Sequence, residues 1–242
     1  IKIYNLNQDS LAFITAQSSV ILNAGYRDDS ILPMVYIGQI ESVSTEKSGT
    51  DSITTLLCSD GGKVLESTKY NKTYTKGMTY EAIINDMLSV LVNIGIPTGQ
   101  FTLNSRTSAK VPRAYTVEGS IMKSLMSTCQ TINYLPFMSL GTMNLVPDDG
   151  DAREDFVEVF PQNIIGAISP QDDKSSVSHF DPTARPAGIK FTTFLNGNLT
   201  LKVKLKIASG RYEGDYTVSS ISHKLDFKGS NWNTEVECKG LQ

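Results

Sequence analysis

Cysteine, tryptophan and histidine are all scarce: the 242 residues include three Cys, one Trp and two His. Cys58, Cys129 and Cys238 lie far apart and form no C-x-x-C pair, which excludes the usual zinc signatures and a disulfide framework. Three free thiols suit assembly in a reducing cytoplasm. The histidines, His179 and His223, have no acidic, Ser or Cys partner at the spacing of a triad or an H-E-x-x-H site, so no catalytic, metal or cofactor centre is expected. Positive charge is not in excess either. A net charge of −3 and a pI near 5.5 argue against general nucleic-acid binding, which needs a basic face to displace phosphate counterions. The longest mostly apolar run, residues 87–96, is well short of the ~20 residues of a membrane-spanning helix. No signal-peptide pattern precedes it. Ile rather than Met stands first, so the numbered chain is expected to lack the start of its reading frame.

Charged residues, at 19%, are few, while Ser, Thr and Asn are plentiful, a balance that favours strands and turns. "IKIYNL" reads as a short opening strand, "DSLAFITA" as one or two helical turns from Asp9 or Ser10, and "SSVILNAGY" as a strand ended by Gly25. "MVYIGQIESVSTEKSGTDSITTLLCSD" alternates apolar and polar residues on either side of a Lys47-Ser48-Gly49-Thr50 turn, which predicts a hairpin. Residues 79–94 form the clearest helix. Thr79 is its N-cap, Glu81 lies in its first turn, and Gly95 with Pro97 stops it. Ile83, Met87, Leu91 and Ile94 give it one packed face. A second helix runs from Ser120 to about Asn133, with Ile121, Leu125, Cys129 and Ile132 along one stripe. The lead-ins "TYTKGMT" and "AYTVEGS" are alike, so an extended aromatic-Thr segment, a Gly turn and a helix repeat after about forty residues. "LPFMSLGTMNLVP" predicts another hairpin, turning at Gly141.

The last third returns to strands. In "NLTLKVKLKIA" Leu199, Leu201, Val203, Leu205 and Ile207 alternate with Thr200, Lys202, Lys204 and Lys206, which predicts one long strand with an apolar face and a lysine stripe. In "DYTVSSISHKL" the phase slips at Ser219-Ser220, as a β-bulge would produce. The closing "GSNWNTEVECKG" echoes "GTDSITTLLCSDG". Gly229, Thr234 and Cys238 are spaced as Gly49, Thr54 and Cys58, Ser220-Ile221-Ser222 answers to Ser42-Val43-Ser44, and the connecting loops differ by two residues. Gly49 and Gly229 are both expected to supply positive φ near the hairpin ends.

A strand-rich front, two small extended-plus-helix units and a strand-rich rear that echoes the front make a distinctive order. With "VILNAGY" and "IGQIESVS" early, and "LNGNLTLKVKLKIAS" and "GDYTVSSISHKLDFKGSNWNTEVEC" late, nearly the whole chain resembles the baseplate-hub proteins of tailed-bacteriophage tails, to which hubs of contractile injection machines are related. The resemblance implies an α+β, mainly β fold: two tail-tube-like β-barrel or sandwich units, residues 1–72 and 153–242, flanking a helix-containing middle, 73–152. It implies a non-enzymatic homotrimer in which each protomer supplies two similar wedges, so that three chains match a hexameric tail tube above and a three-fold spike or tail tip below. It also implies a place in the virion after assembly in the host cytoplasm, possible contacts with tape-measure and baseplate wedge proteins, and DNA only in transit. The compact middle departs from longer hubs and leaves the number of accessory partners open.

The Lys202, Lys204, Lys206 stripe fits an ordinary solvated face, a subunit interface or the lumen of a ring. Asp148, Asp149, Asp151, Glu154 and Asp155 crowd one stretch but miss the calcium-loop spacing, so an exposed loop is expected. His223 is read as packing or hydrogen bonding beside the bulge, and His179 as a loop residue. Trp232 opens a strand with Thr234, Val236 and Cys238 on one side, which favours packing over sugar stacking. A tail-tip module binding receptor or glycan is the alternative function, and a cell-wall hydrolase a third.

Overall fold

A computed structural model describes residues 1–14, 18–148, 156–171, 188–208 and 210–240. The fold is α+β and mainly β. By internal contacts the chain forms two compact units, residues 1–22 with 36–146, and residues 23–35 with 147–242.

The first unit opens with β1 (Lys2–Tyr4), α1 (Gln8–Phe13), β2 (Ser19–Asn23), β3 (Met34–Ser48) and β4 (Asp51–Ser59). These strands make one sheet in the order β1-β4-β3-β2. The expected hairpin is β3–β4, closed where Ser48 faces Asp51, and Gly49 takes φ 63° in its turn. Its register slips between Ile40 and Ser42, so Glu41 is the extra residue of a bulge.

Next come α2 (Gly62–Ser67), β5 (Lys72–Tyr74), α3 (Tyr80–Asn93), β6 (Thr98–Phe101), β7 (Tyr115–Val117), α4 (Ile121–Thr131), β8 (Tyr134–Ser139) and β9 (Thr142–Pro147). Both long helices follow their sequence signals. Thr79 caps α3 by accepting from the Ala82 N–H, and Ser120 caps α4 by accepting from the Lys123 N–H. Gly95, at φ 87°, ends α3. The two lead-ins pair with each other. β5 and β7 are antiparallel with Tyr74 facing Tyr115, and the bridges Lys69–Ser120 and Thr79–Lys110 extend them into one ribbon with a helix leaving each end. Ile83, Met87 and Leu91 of α3 and Ile121, Leu125 and Cys129 of α4 are fully buried in a shared core with Tyr134, Met143 and Leu145. β8 and β9 form the second expected hairpin, its turn made by Leu140 and Gly141 at φ 50° and 76°.

The second unit carries β10 (Phe156–Val159), β11 (Ile164–Gln171), β12 (Gly188–Phe194), β13 (Lys204–Ile207), β14 (Gly214–Leu225) and β15 (Trp232–Gly240). They form a six-stranded sheet in the order β10-β13-β14-β15-β12-β11. Its core holds Ile189, Phe191, Leu199, Leu205, Ile207, Tyr216, Val218, Val236 and Cys238. The expected bulge is present, the β14–β15 register slipping between Val218 and Ser220. The long strand expected from Leu199 is not: the chain turns through Asn196–Val203, and only Lys204–Ile207 pairs as a strand. The break falls at Lys202. This residue is buried, adopts φ 62° and extends its Nζ to 2.9 Å from Asp148 Oδ1. Such a left-handed backbone is uncommon outside glycine, and here burial of Leu199 and Val203 with an ion pair outweighs the strand pattern.

Candidate assembly surfaces

The echo between front and rear extends from sequence to topology. In chain order β1, β2, β3, β4 correspond to β12, β13, β14, β15, and in space β2-β3-β4-β1 corresponds to β13-β14-β15-β12. The registers agree residue by residue. Ile40 faces Cys58 as Val218 faces Cys238, Val43 faces Leu56 as Ile221 faces Val236, and Ile3 faces Thr54 as Thr193 faces Thr234. The bulged residues, Glu41 and Ser219, occupy the same place. A buried threonine reaches across the hairpin in both: Thr54 Oγ1 lies 3.1 Å from Thr45 Oγ1, and Thr234 Oγ1 lies 2.9 Å from His223 Nδ1. Burial holds the His223 imidazole below its ordinary pKa.

Of the six repeated positions, Thr54, Thr234 and Cys238 are buried, whereas Cys58 is half-buried. Burial, with Glu237 adding to it, pushes the Cys238 thiol up to about 12. Gly49 has the expected positive φ, but Gly229 does not. Gly229 is needed for a different reason: the Asp226 carboxylate accepts from the Lys228 and Gly229 N–H groups at 3.1 and 3.0 Å, and a Cβ on Gly229 would stand 2.2 Å from Asp226 Oδ2.

The lysine stripe is divided. Lys202 is buried in its ion pair, Lys204 is half-buried and Lys206 is exposed. Lys206 lies in register between Glu158 and Asp215. Among the crowded acids Asp148 is the partner of Lys202, while Asp149, Asp151, Glu154 and Asp155, like His179, lie outside the described residues. Trp232 is half-buried. Its indole N–H donates to the Gly25 carbonyl at 3.2 Å, and the Tyr26 hydroxyl accepts from the Leu195 N–H at 2.9 Å, which fastens residues 23–35 to the second unit. Gly197 permits this, since a Cβ there would meet Pro33 at 2.8 Å.

The outward faces of the twin hairpins differ. Ile53, Thr55 and Leu57 on β4 are replaced on β15 by Asn233, Glu235 and Glu237. The two glutamates form an exposed ladder, Glu235 with Lys224 at 2.5 Å and Glu237 with Lys190 at 2.9 Å, and each lysine lowers the pKa of its glutamate. Both faces keep exposed serines at matching positions, Ser42 and Ser44 on β3 and Ser220 and Ser222 on β14, and both present an aromatic side chain. Tyr4, facing Ile53, and Phe194, facing Asn233, hold the same register position and are 55% and 49% exposed.

One cluster carried no sequence signal beyond the aromatic-Thr segment. Asp86 Oδ2 on α3 accepts from Tyr70 at 2.5 Å, Lys72 at 2.6 Å and Tyr74 at 2.7 Å. Lys72 foremost, then Tyr70, holds the Asp86 pKa down to about 2, while burial and the bond to Asp86 push the Tyr70 phenol up to about 12. An oxygen shared by three donors is a clamp between ribbon and helix, poorly suited to accept a proton or attack a substrate. Among the described residues no three His, Cys, Asp or Glu side chains converge as metal ligands, and no helix is long and apolar enough to cross a membrane.

No known family profile matches the chain, and no curated protein matches it in sequence. Solved structures do. A 43 kDa tail protein of prophage MuSo2 from Shewanella oneidensis superposes with a TM-score of 0.61 at 8% identity, over 98% of this chain and 88% of that one. A tail protein from Neisseria meningitidis MC58 gives 0.57 at 12% identity, over 85% and 80%. The c3393 protein of Escherichia coli gives 0.56 at 13% identity, over 84% of this chain and 60% of its own length. That protein is a component of the type VI secretion system with structural similarity to the phage T4 tail proteins gp27 and gp5. The fold of this chain is therefore one it shares with phage tail proteins and with a component of a secretion machine.

Proposed function

We propose that this chain is a structural, non-enzymatic hub of a phage-tail baseplate, a homotrimer that joins a hexameric tail tube to a three-fold spike or tip and surrounds part of the DNA path. The observation that supports this reading is the twin hairpin, with four strands in the same order, the same register and the same bulge built twice in one chain. A closed ring needs matching surfaces at every position, and a chain that carries one wedge twice turns three protomers into six near-equivalent wedges. Residues 1–72 and 153–242 are the two wedges of the assembly and 73–152 the segment between them. Tube protein and spike are the principal partners, with tape-measure and baseplate wedge proteins around them, and the virion tail is the place of action. Lys204 and Lys206, one half-buried and one flanked by acids, fit a solvated or subunit-facing surface better than a bare cationic lumen. Light scattering of the purified chain tests the core of this reading. A mass of three times 26.5 kDa is expected, and a monomer that persists at high concentration would overturn it.

A further inference from the structure

Two hairpins of matching strand order and register with different side chains allow each surface to be sorted by how many times a protomer presents it. The charged ladder of β15 occurs once, since Thr55 and Leu57 stand where Glu235 and Glu237 do. The hairpin tips are also unlike: a tight turn at Gly49 in the first unit, and in the second a loop, residues 226–231, that holds Phe227 at 93% exposure. The outward aromatic at the end of the strand that flanks the hairpin is presented twice, by Tyr4 at the end of β1 and by Phe194 at the end of β12. Each projects from the strand that covers the outer edge of the hairpin, on the side away from the buried Thr54 or Thr234. A half-exposed aromatic on a paired strand has little rotamer freedom to lose, and such side chains dominate the energetics of protein contacts.

We infer that Tyr4 and Phe194 are one docking position built twice, and that its occupant is a ring that offers six identical apolar sockets to three protomers. This rests on the trimeric hub reading above, under which the six-fold partner must find the same anchor on both units. Phe227, present once per protomer, lies outside that contact. Of the other repeated positions Thr54, Thr234 and Cys238 are buried and serve the fold, while Ser42 with Ser220 and Ser44 with Ser222 are exposed but offer no apolar side chain for such a socket.

The test uses the full chain and the purified tube protein of the same tail, with Tyr4→Ser, Phe194→Ser, their double variant and Phe227→Ser. Mass by light scattering and the unfolding midpoint are measured first, and both are expected to match the wild type because the side chains are half-exposed. Tube binding should fall by about tenfold or more for each single variant, to similar extents, and vanish for the double variant, with Phe227→Ser at the wild-type level. Wild-type binding by the double variant, loss from only one of the two positions, loss from Phe227→Ser, or a wild-type trimer that ignores the tube protein would each overturn the inference and leave the trimer standing. A monomeric wild type would remove the hub reading itself.

Discussion

The three thiols give a residue-scale measure of how differently the twin hairpins are finished. Cys238 and Cys129 are buried and their pKa values are pushed up to about 12, whereas Cys58, at the position equivalent to Cys238, is half-buried. In the native chain an alkylating reagent should modify Cys58 many times faster than the other two, as mass spectrometry of the modified peptides would read; equal rates would contradict the packing. His223 makes a pH prediction. Its folded pKa is depressed, so its contribution to stability is present above the ordinary value of 6.5 and is lost as pH falls through the folded value, because the unfolded chain binds the proton first. Tm should therefore drop more between about pH 7.5 and pH 5 for the wild type than for His223→Gln. The residue types were visible beforehand, but the Thr234 contact that holds His223 was not, since it spans a hairpin whose register a bulge resets.

Helix caps and turns are where the elements of this chain were most legible. Thr79→Ala and Ser120→Ala should each cost about 1 kcal/mol in urea unfolding, and by similar amounts, since the two helices repeat one design. The Asp86 clamp between ribbon and helix was hidden. Tyr70, Lys72 and Tyr74 are near neighbours in sequence, but nothing local says that a carboxylate on the next helix will meet all three. Tyr74→Phe should cost about 1–2 kcal/mol by removing the charge-assisted hydrogen bond to Asp86 together with the hydroxyl–hydroxyl bond to Tyr70. The Asp86 pKa is lowered from 3.8 to about 2, so the clamp contributes stability that is present above 3.8 and lost as pH falls toward 2. Acid titration of Tm in the wild type and in Asp86→Asn would show whether that loss disappears with the carboxylate.

At the scale of the whole chain, the twin hairpins should accept exchange of parts. Leu225 faces Trp232 as Lys47 faces Ser52, so the strands arrive at both turns in the same register. Replacing residues 226–231 with the sequence of 48–51 should leave a folded protein whose stability changes by about 1 kcal/mol or less, because loop closure depends only weakly on length. Failure of the β14–β15 hairpin to form, read by amide hydrogen exchange, would mean that the two hairpins are alike in outline only.

Alternation, caps, turn glycines and an internal echo are local properties of a chain, and they sufficed for a mainly β protein with two capped helices and one hairpin written twice. Contacts between distant residues decided the rest. A buried Lys202 paired with the exposed Asp148 sits where a perfect alternating pattern gives way to a turn, the Asp226 carboxylate gave Gly229 its purpose, and the Gly25 and Tyr26 hydrogen bonds drew residues 23–35 into the second unit. Which outward positions became apolar, charged or aromatic could be compared only once strand pairing had aligned the two copies, because a side chain acquires a face, and a neighbour to answer to, through the register of its sheet.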